Sequence, residues 1–139
     1  MSVDRIDLKI IRSLSQNARK SYKEISQETD VSDTTVRKRM QRMLDLGIIK
    51  KFNVLLDYPK LGRVIKAFIG IRINPTALQE VVNNLKDNPD VQVLYRTTGH
   101  SDLLIEVIFG TMEELNNFLE NELNFEGISG TEVDIVIGP

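Results

Sequence analysis

Near residue 63 the spacing of apolar side chains changes period, and a chain that does this cannot fold as one uniform layer of secondary structure. Before that point the apolar residues recur at helical intervals. After it, runs with strand character alternate with helical ones, so two small units are expected. Ile6, Ile10, Ile11 and Leu14 share a face of a helix predicted over residues 4 to 15, with Asp4 or Ser2 available as its N-cap. After the polar residues 16–20, Ser21 followed by Glu24 has the form of a capping box, and Ile25 begins a second apolar face. That helix is short, because Thr29 and Asp30 interrupt it. Ser32 caps a third, with Val31 outside and Val36 inside placed as a hydrophobic staple. Val36, Met40, Met43 and Leu44 form its buried stripe, and Gly47 ends it.

The two halves also differ in charge. Residues 1–63 hold fourteen Lys and Arg against eight Asp and Glu, a net +6, whereas residues 64–139 hold four against twelve, a net −8. The formal total of −2 hides a basic half suited to a polyanion and an acidic half suited to something else. With 41% hydrophobic and 27% charged residues the composition is that of a globular chain, not a disordered one. No apolar run approaches the roughly 20 residues that span a bilayer. Asp4, Arg5, Asp7 and Lys9 stand where a signal peptide would need an apolar run, which points to the cytoplasm. The lack of cysteine removes disulfides, thiolate zinc sites and a Cys nucleophile, and a single His removes a multi-histidine metal site. No cofactor, metal or catalytic residue is expected.

A helix, a short helix, a tight turn and a longer helix make the layout of a helix-turn-helix, whose second paired helix enters the DNA major groove. With the buried stripe removed, the third helix presents Asp33, Thr34, Thr35, Arg37, Lys38, Arg39, Gln41 and Arg42. Hydroxyls, an amide and cations are the groups that bond base edges and phosphates. The residues expected at DNA are Ser32, Thr34, Thr35, Arg37, Lys38, Gln41 and Arg42. A basic helix alone is equally a solvated surface; the caps, the turn spacing and the charge split together favour double-stranded DNA.

Beyond Gly47, residues 48–55 are β-prone and residues 57–62 turn-rich, which predicts a strand and then a linker. The domains are accordingly drawn as 1–50, a strand and linker at 51–63, and 64–139. In the second half, strands are predicted at 64–73, 91–97, 103–109 and 131–137. One helix begins at Pro75 and carries Leu78, Val81, Val82 and Leu85; another carries Leu115, Phe118, Leu119 and Leu123. The order βαββαβ is the ferredoxin-like arrangement, so the whole is α+β. Both helices then cover one sheet face. Ile65, Ala67, Ile69 and Ile71 fall on one side of the first strand, with Val64 and Phe68 on the other. Leu103, Ile105 and Val107 likewise oppose Leu104 and Ile108 in the third. Two apolar faces predict a second subunit over the uncovered one.

The chain resembles the Lrp/AsnC (feast/famine) transcriptional regulators over nearly its whole length. The likeness is carried by Asp4 and Asp7 before Ile10-Ile11, Arg19 and Ser21 before Glu24-Ile25, Ser32 before Val36, Arg39-Met40 before Leu46-Gly47-Ile48-Ile49, and the Thr98-Gly99-His100-Ser101-Asp102-Leu103 turn. The resemblance implies a DNA-binding helix-turn-helix, a ligand-sensing domain with an amino acid or related small effector, dimers through the sheet, and higher assemblies such as octamers. Chemistry gives the turn a rationale of its own. Backbone N–H groups of a Gly-containing turn can hold an amino acid's carboxylate, and Asp102 its ammonium. The alternative is that Asp102 merely stabilises a hairpin turn. Effector contacts are expected from Thr97, Gly99, His100, Ser101 and Asp102. The resemblance adds Thr131, Glu132 and Val133, brought from a neighbouring subunit. Ser101 stands where many members carry a bulkier or aromatic residue, and His100 is expected at the rim, since one His and one Asp make neither a metal site nor an acid–base pair. The competing classes are a sensing or interaction protein without specific DNA binding and a small enzyme on a ferredoxin-like fold; no nucleophile–base pair, phosphate loop or metal cluster favours the latter.

Overall fold

A computed structural model describes residues 2–139, which divide into two compact units, 2–55 and 56–139. The first contains α1 (Arg5–Gln16), α2 (Tyr22–Thr29) and α3 (Asp33–Asp45). Each begins where a side-chain oxygen satisfies backbone N–H groups that have no intrahelical partner. Asp4 accepts from the Asp7 N–H while the Asp7 carboxylate accepts from the Asp4 N–H, and Ser21 and Glu24 do the same for α2. Ser32 accepts from the Thr35 N–H at 3.1 Å. Helix α2 stops at Asp30, which takes the left-handed conformation at φ 55°, and α3 stops before Gly47 at φ 71°. Ile10, Leu14, Ile25, Val36, Met40 and Met43 form the core, with Ile6, Ile11, Val31, Ile48 and Ile49 against it. Lys20 meets Glu28 at 2.8 Å, tying the end of α1 to α2, and Ser13 donates to the same carboxylate.

Residues 48–55 correct the sequence reading, because they form no strand. Ile48 and Ile49 pack on the helical core, but Phe52, Val54 and Leu55 are exposed. β-propensity becomes a strand only when another segment supplies ladder hydrogen bonds, and none does here among the described residues.

In the second unit a short 3₁₀ turn, Tyr58–Leu61, precedes β1 (Ile65–Ile73), α4 (Leu78–Lys86), β2 (Val91–Arg96), β3 (Leu103–Phe109), α5 (Met112–Asn121) and β4 (Ile128–Ile135). The sheet runs β2-β3-β1-β4, with every neighbouring pair antiparallel. Ala67, Ile69 and Ile71 of β1 and Leu103, Ile105 and Val107 of β3 pack beneath Val81, Leu85, Leu115 and Phe118 of the helices. Burial of each Ile, Val, Leu and Phe among them contributes about 1.5–3 kcal/mol relative to exposure, and the Ala67 methyl about half the lower figure.

Three details differ from expectation. Pro75 lies in a turn ahead of α4: Asn74 accepts from Thr76 N–H and from Ala77 N–H at 3.1 and 2.9 Å, and the helix starts at Leu78. Strand β4 begins three residues earlier and ends two earlier than 131–137, because pairing with β1, down to Ile73 opposite Ile128, decides its limits. The sheet face away from the helices is mixed rather than apolar. Phe68, Leu104 and Tyr95 share it with Lys66, Arg72, Glu106, Glu132 and Asp134, and Lys66 pairs with Glu106 at 2.9 Å. Counting only the apolar residues of β1 and β3 left out Lys66, Arg72 and Glu106 of the same strands, and the register adds Glu132 and Asp134 from β4. Ile108 on this face is 1% exposed, and Arg63 donates to its carbonyl.

Candidate functional site

Helix α3 buries Val36, Met40 and Met43, which turns Thr34, Arg37, Lys38 and Gln41, at helical spacing, to the opposite side. All four are exposed. The Arg37 guanidinium lies over the Tyr22 ring at 5.1 Å, and Gln41 donates to Asp45 at 2.8 Å. The first contact steadies Arg37 at the α2 edge; the second holds an amide that can exchange Asp45 for a base edge. Ser32 and Thr35 sit at the helix N-terminus, where Ser32 Oγ donates to Thr35 Oγ1 at 2.9 Å.

Arg42 is placed differently from the other expected DNA contacts. It meets the Asp7 carboxylate at 3.3 Å and donates to the Ser2 carbonyl at 3.0 Å. Arg39 likewise reaches Asp7 at 3.3 Å and also bonds Asp4. The hydrogen bond from Arg39, together with that from the Asp7 N–H, lowers the Asp4 carboxyl from 3.8 to about 2, and the same Asp4 contact raises Arg39. Two of the four α3 cations are thus committed to the start of α1. Sequence reasoning treated Asp4 and Asp7 as cap and family pattern only. The place of Asp7 one turn before the buried Ile10 was the available signal for a charge on the core side of α1.

In the second unit, the 99–102 turn joins β2 to β3, and Gly99 adopts φ 92° with open space around it. Thr97 Oγ1 donates to the Ser101 carbonyl at 2.9 Å, and Thr97 N–H to the Asp102 carbonyl at 3.0 Å. One Asp102 oxygen accepts from the Ile73 N–H at 2.8 Å, so this carboxylate fastens the turn to the end of β1. Ser101 packs on Gly70, where a Cβ would collide with its hydroxyl. β4 places Thr131, Glu132 and Val133 opposite Ile71, Gly70 and Ile69 of the same chain. Glu132 lies 3.8 Å from His100, whose Nε2 is 2.8 Å from the Arg72 guanidinium. Half-buried Arg72 and exposed His100 and Glu132 therefore flank the turn within one protomer. Arg72 was missed in the sequence because nothing local distinguishes it; only the β1–β4 register brings it there.

Two family models match the chain, a winged helix-turn-helix DNA-binding model over residues 3–50 and an Lrp/AsnC ligand-binding domain model over residues 66–138. Over 136 residues the chain is 38% identical to the HTH-type transcriptional regulator Ptr1 of Methanocaldococcus jannaschii, covering 97% of this chain and 92% of that one. It is 34% identical to the regulator FL11 of Pyrococcus horikoshii, covering 97% and 89%. Among solved structures, Escherichia coli AsnC superposes with a TM-score of 0.89 at 28% identity, covering 100% of this chain and 95% of that one. A Neisseria meningitidis transcriptional regulator in complex with L-Met gives 0.91 at 24%, covering 99% and 91%. A basic helix-turn-helix unit followed by a ligand-binding βαββαβ unit defines a DNA-binding transcriptional regulator. The chain belongs to the Lrp/AsnC family of such regulators.

Proposed function

We propose that α3 reads a specific duplex, with Thr34 and Gln41 at base edges and Arg37 and Lys38 on phosphates, while Ser32 and Thr35 present the helix N-terminus to the backbone. The observation that carries this is the exposed row of these side chains opposite a fully buried stripe. Arg42 serves in the protein, held to Asp7. The protein is non-catalytic and works in the cytoplasm, where bacterial and archaeal DNA lies. It self-associates as a dimer through the mixed sheet face, where Phe68, Leu104 and Tyr95 form an apolar centre ringed by charge, and as a higher assembly of dimers.

The effector is a free amino acid or a related zwitterion at the 99–102 turn. Support comes from the paired charges there: half-buried Arg72 suits a carboxylate and exposed Glu132 an ammonium, within reach of one another through His100. The Neisseria relative bound to L-Met has the same fold. Asp102 shapes the turn and keeps one oxygen for the ligand. The test is selection of duplexes from a random pool, with and without a panel of amino acids. A triple Arg37→Ala, Lys38→Ala, Gln41→Ala variant should lose the selected site; wild-type binding by it would overturn the α3 assignment.

A further inference from the structure

Burial of Val36, Met40 and Met43 sets which face of α3 turns inward, and directional polar contacts fix its rotation more finely about that setting. Rotation of α3 about its axis is what decides which side chains face a duplex. The directional contacts between these two helices converge on one carboxylate. Asp7, with a side chain 1% exposed, meets Arg39 through one oxygen and Arg42 through the other, each at 3.3 Å. Its second oxygen also accepts from the Asp4 N–H at 3.1 Å, and Asp4 accepts in return from the Asp7 N–H at 2.9 Å. Arg42 adds a bond to the Ser2 carbonyl, and Arg39 a bond to Asp4. Arg42 stands one helical turn after Lys38, and these contacts hold its guanidinium toward the start of α1.

Resting on the reading that α3 faces DNA, we infer that Asp7 is a specificity-determining positioning residue, which fixes the rotation of α3 through Arg39 and Arg42 and withholds both cations from indiscriminate phosphate contact. A carboxylate so nearly buried cannot release its partners without being left uncompensated, so the tether stays closed on any DNA that does not replace it. Phosphate is the same along every sequence, and each cation freed to bind it strengthens specific and random binding alike. Removing the carboxylate therefore has an unusual signature. Binding to random DNA rises, and discrimination falls.

The test uses the full chain and two duplexes of equal length, one selected from a random pool by the wild-type protein and one of random sequence, titrated by fluorescence anisotropy over a salt series. Asp7→Asn should lower the ratio of specific to random affinity by about ten-fold or more, mostly by tightening random binding. It should also steepen the plot of log affinity against log salt by about 0.9 for each arginine freed. Asp4→Asn, which leaves the buried carboxylate in place, should shift both readouts in the same direction by less. Thermal melting establishes that each variant is folded. A folded Asp7→Asn with the wild-type ratio and slope would overturn the inference, as would equal weakening of both duplexes with the slope unchanged, since that is all a merely structural role could produce. If Asp7→Asn does not fold, Asp4→Asn decides by the same criteria. Lys38→Ala separates the two levels: if it alters neither duplex, α3 does not face DNA and the inference falls with that reading, whereas weakening on both supports the orientation from which the Asp7 result is judged.

Discussion

Asp4 is half-exposed, yet its contact with Arg39 gives the first unit a measurable acid limit. Its carboxyl is held at about 2, against an ordinary 3.8, so protons bind it more weakly in the folded chain than in the unfolded one. The stabilisation is complete above about pH 4 and disappears as pH falls through about 2. Glu28, lowered by Lys20 and then by Ser13, adds a contribution of the same sign. The expected outcome is a melting temperature of the first unit that declines from about pH 4 toward pH 2, with a shallower decline in Asp4→Asn; the same decline in both would remove the Asp4–Arg39 pair as the cause. Residues of this kind were only half legible. That Asp4 and Ser21 would cap helices follows from spacing three residues long, which is local. That Asp7 would accept two arginines more than thirty residues away, or that Arg72 would meet His100 and Glu132, depends on tertiary placement that no local pattern encodes.

Helix α3 shows why the elements of the first unit were easier to read than the strands of the second. Its beginning at Ser32, its stripe and its end before Gly47 are each set within a few residues, and all fall where expected except Leu44, which is half-buried beside the stripe of Val36, Met40 and Met43. Strand limits depend on a partner: β4 starts at Ile128 because Ile73 is opposite, although Gly127 and Gly130 read as breakers. Residues 48–55 carry strand-forming side chains, and no segment among the described residues pairs with them. The local control of α3 makes Ser32→Ala informative. It removes the oxygen that accepts the Thr35 N–H, a loss of about 1 kcal/mol for a typical N-cap. Chemical denaturation should show that loss in the first unit, and DNA affinity should fall further than stability accounts for if Ser32 also touches the backbone of the duplex. Ser32→Asp, which caps as well but repels phosphate, should restore stability and not affinity. Equal affinity for Ser32→Asp and wild type would confine Ser32 to capping.

At the scale of the whole molecule, the +6 and −8 halves match a unit for DNA and a unit for a small ligand. A ligand alters assembly only if it binds one assembly more tightly than another, as it would where the turn is completed, or opposed, across protomers. Binding that favours one assembly must then be favoured by that assembly by the same factor. Ligand affinity should therefore depend on protein concentration, and ligand should shift the sedimentation profile in the direction that tightens its own binding. Arg72→Gln removes the cation that suits a carboxylate while leaving the sheet hydrogen bonds intact, and Glu132→Gln does the equivalent for the ammonium. Each should weaken an amino-acid ligand by about 1.5–3 kcal/mol, the range for hydrogen bonds to charged groups. Both residues lie on the sheet face proposed for the dimer, so DNA affinity without ligand should remain unchanged in a variant whose sedimentation matches wild type. Calorimetry over the twenty amino acids, at two protein concentrations, measures both effects. Heat from one of them that vanishes in both variants would establish the zwitterion site at Arg72 and Glu132. A ligand bound equally by wild type and both variants would move the site elsewhere on the domain. The absence of heat from every amino acid up to about millimolar would leave the 99–102 turn a structural hairpin, fastened by Asp102 to Ile73.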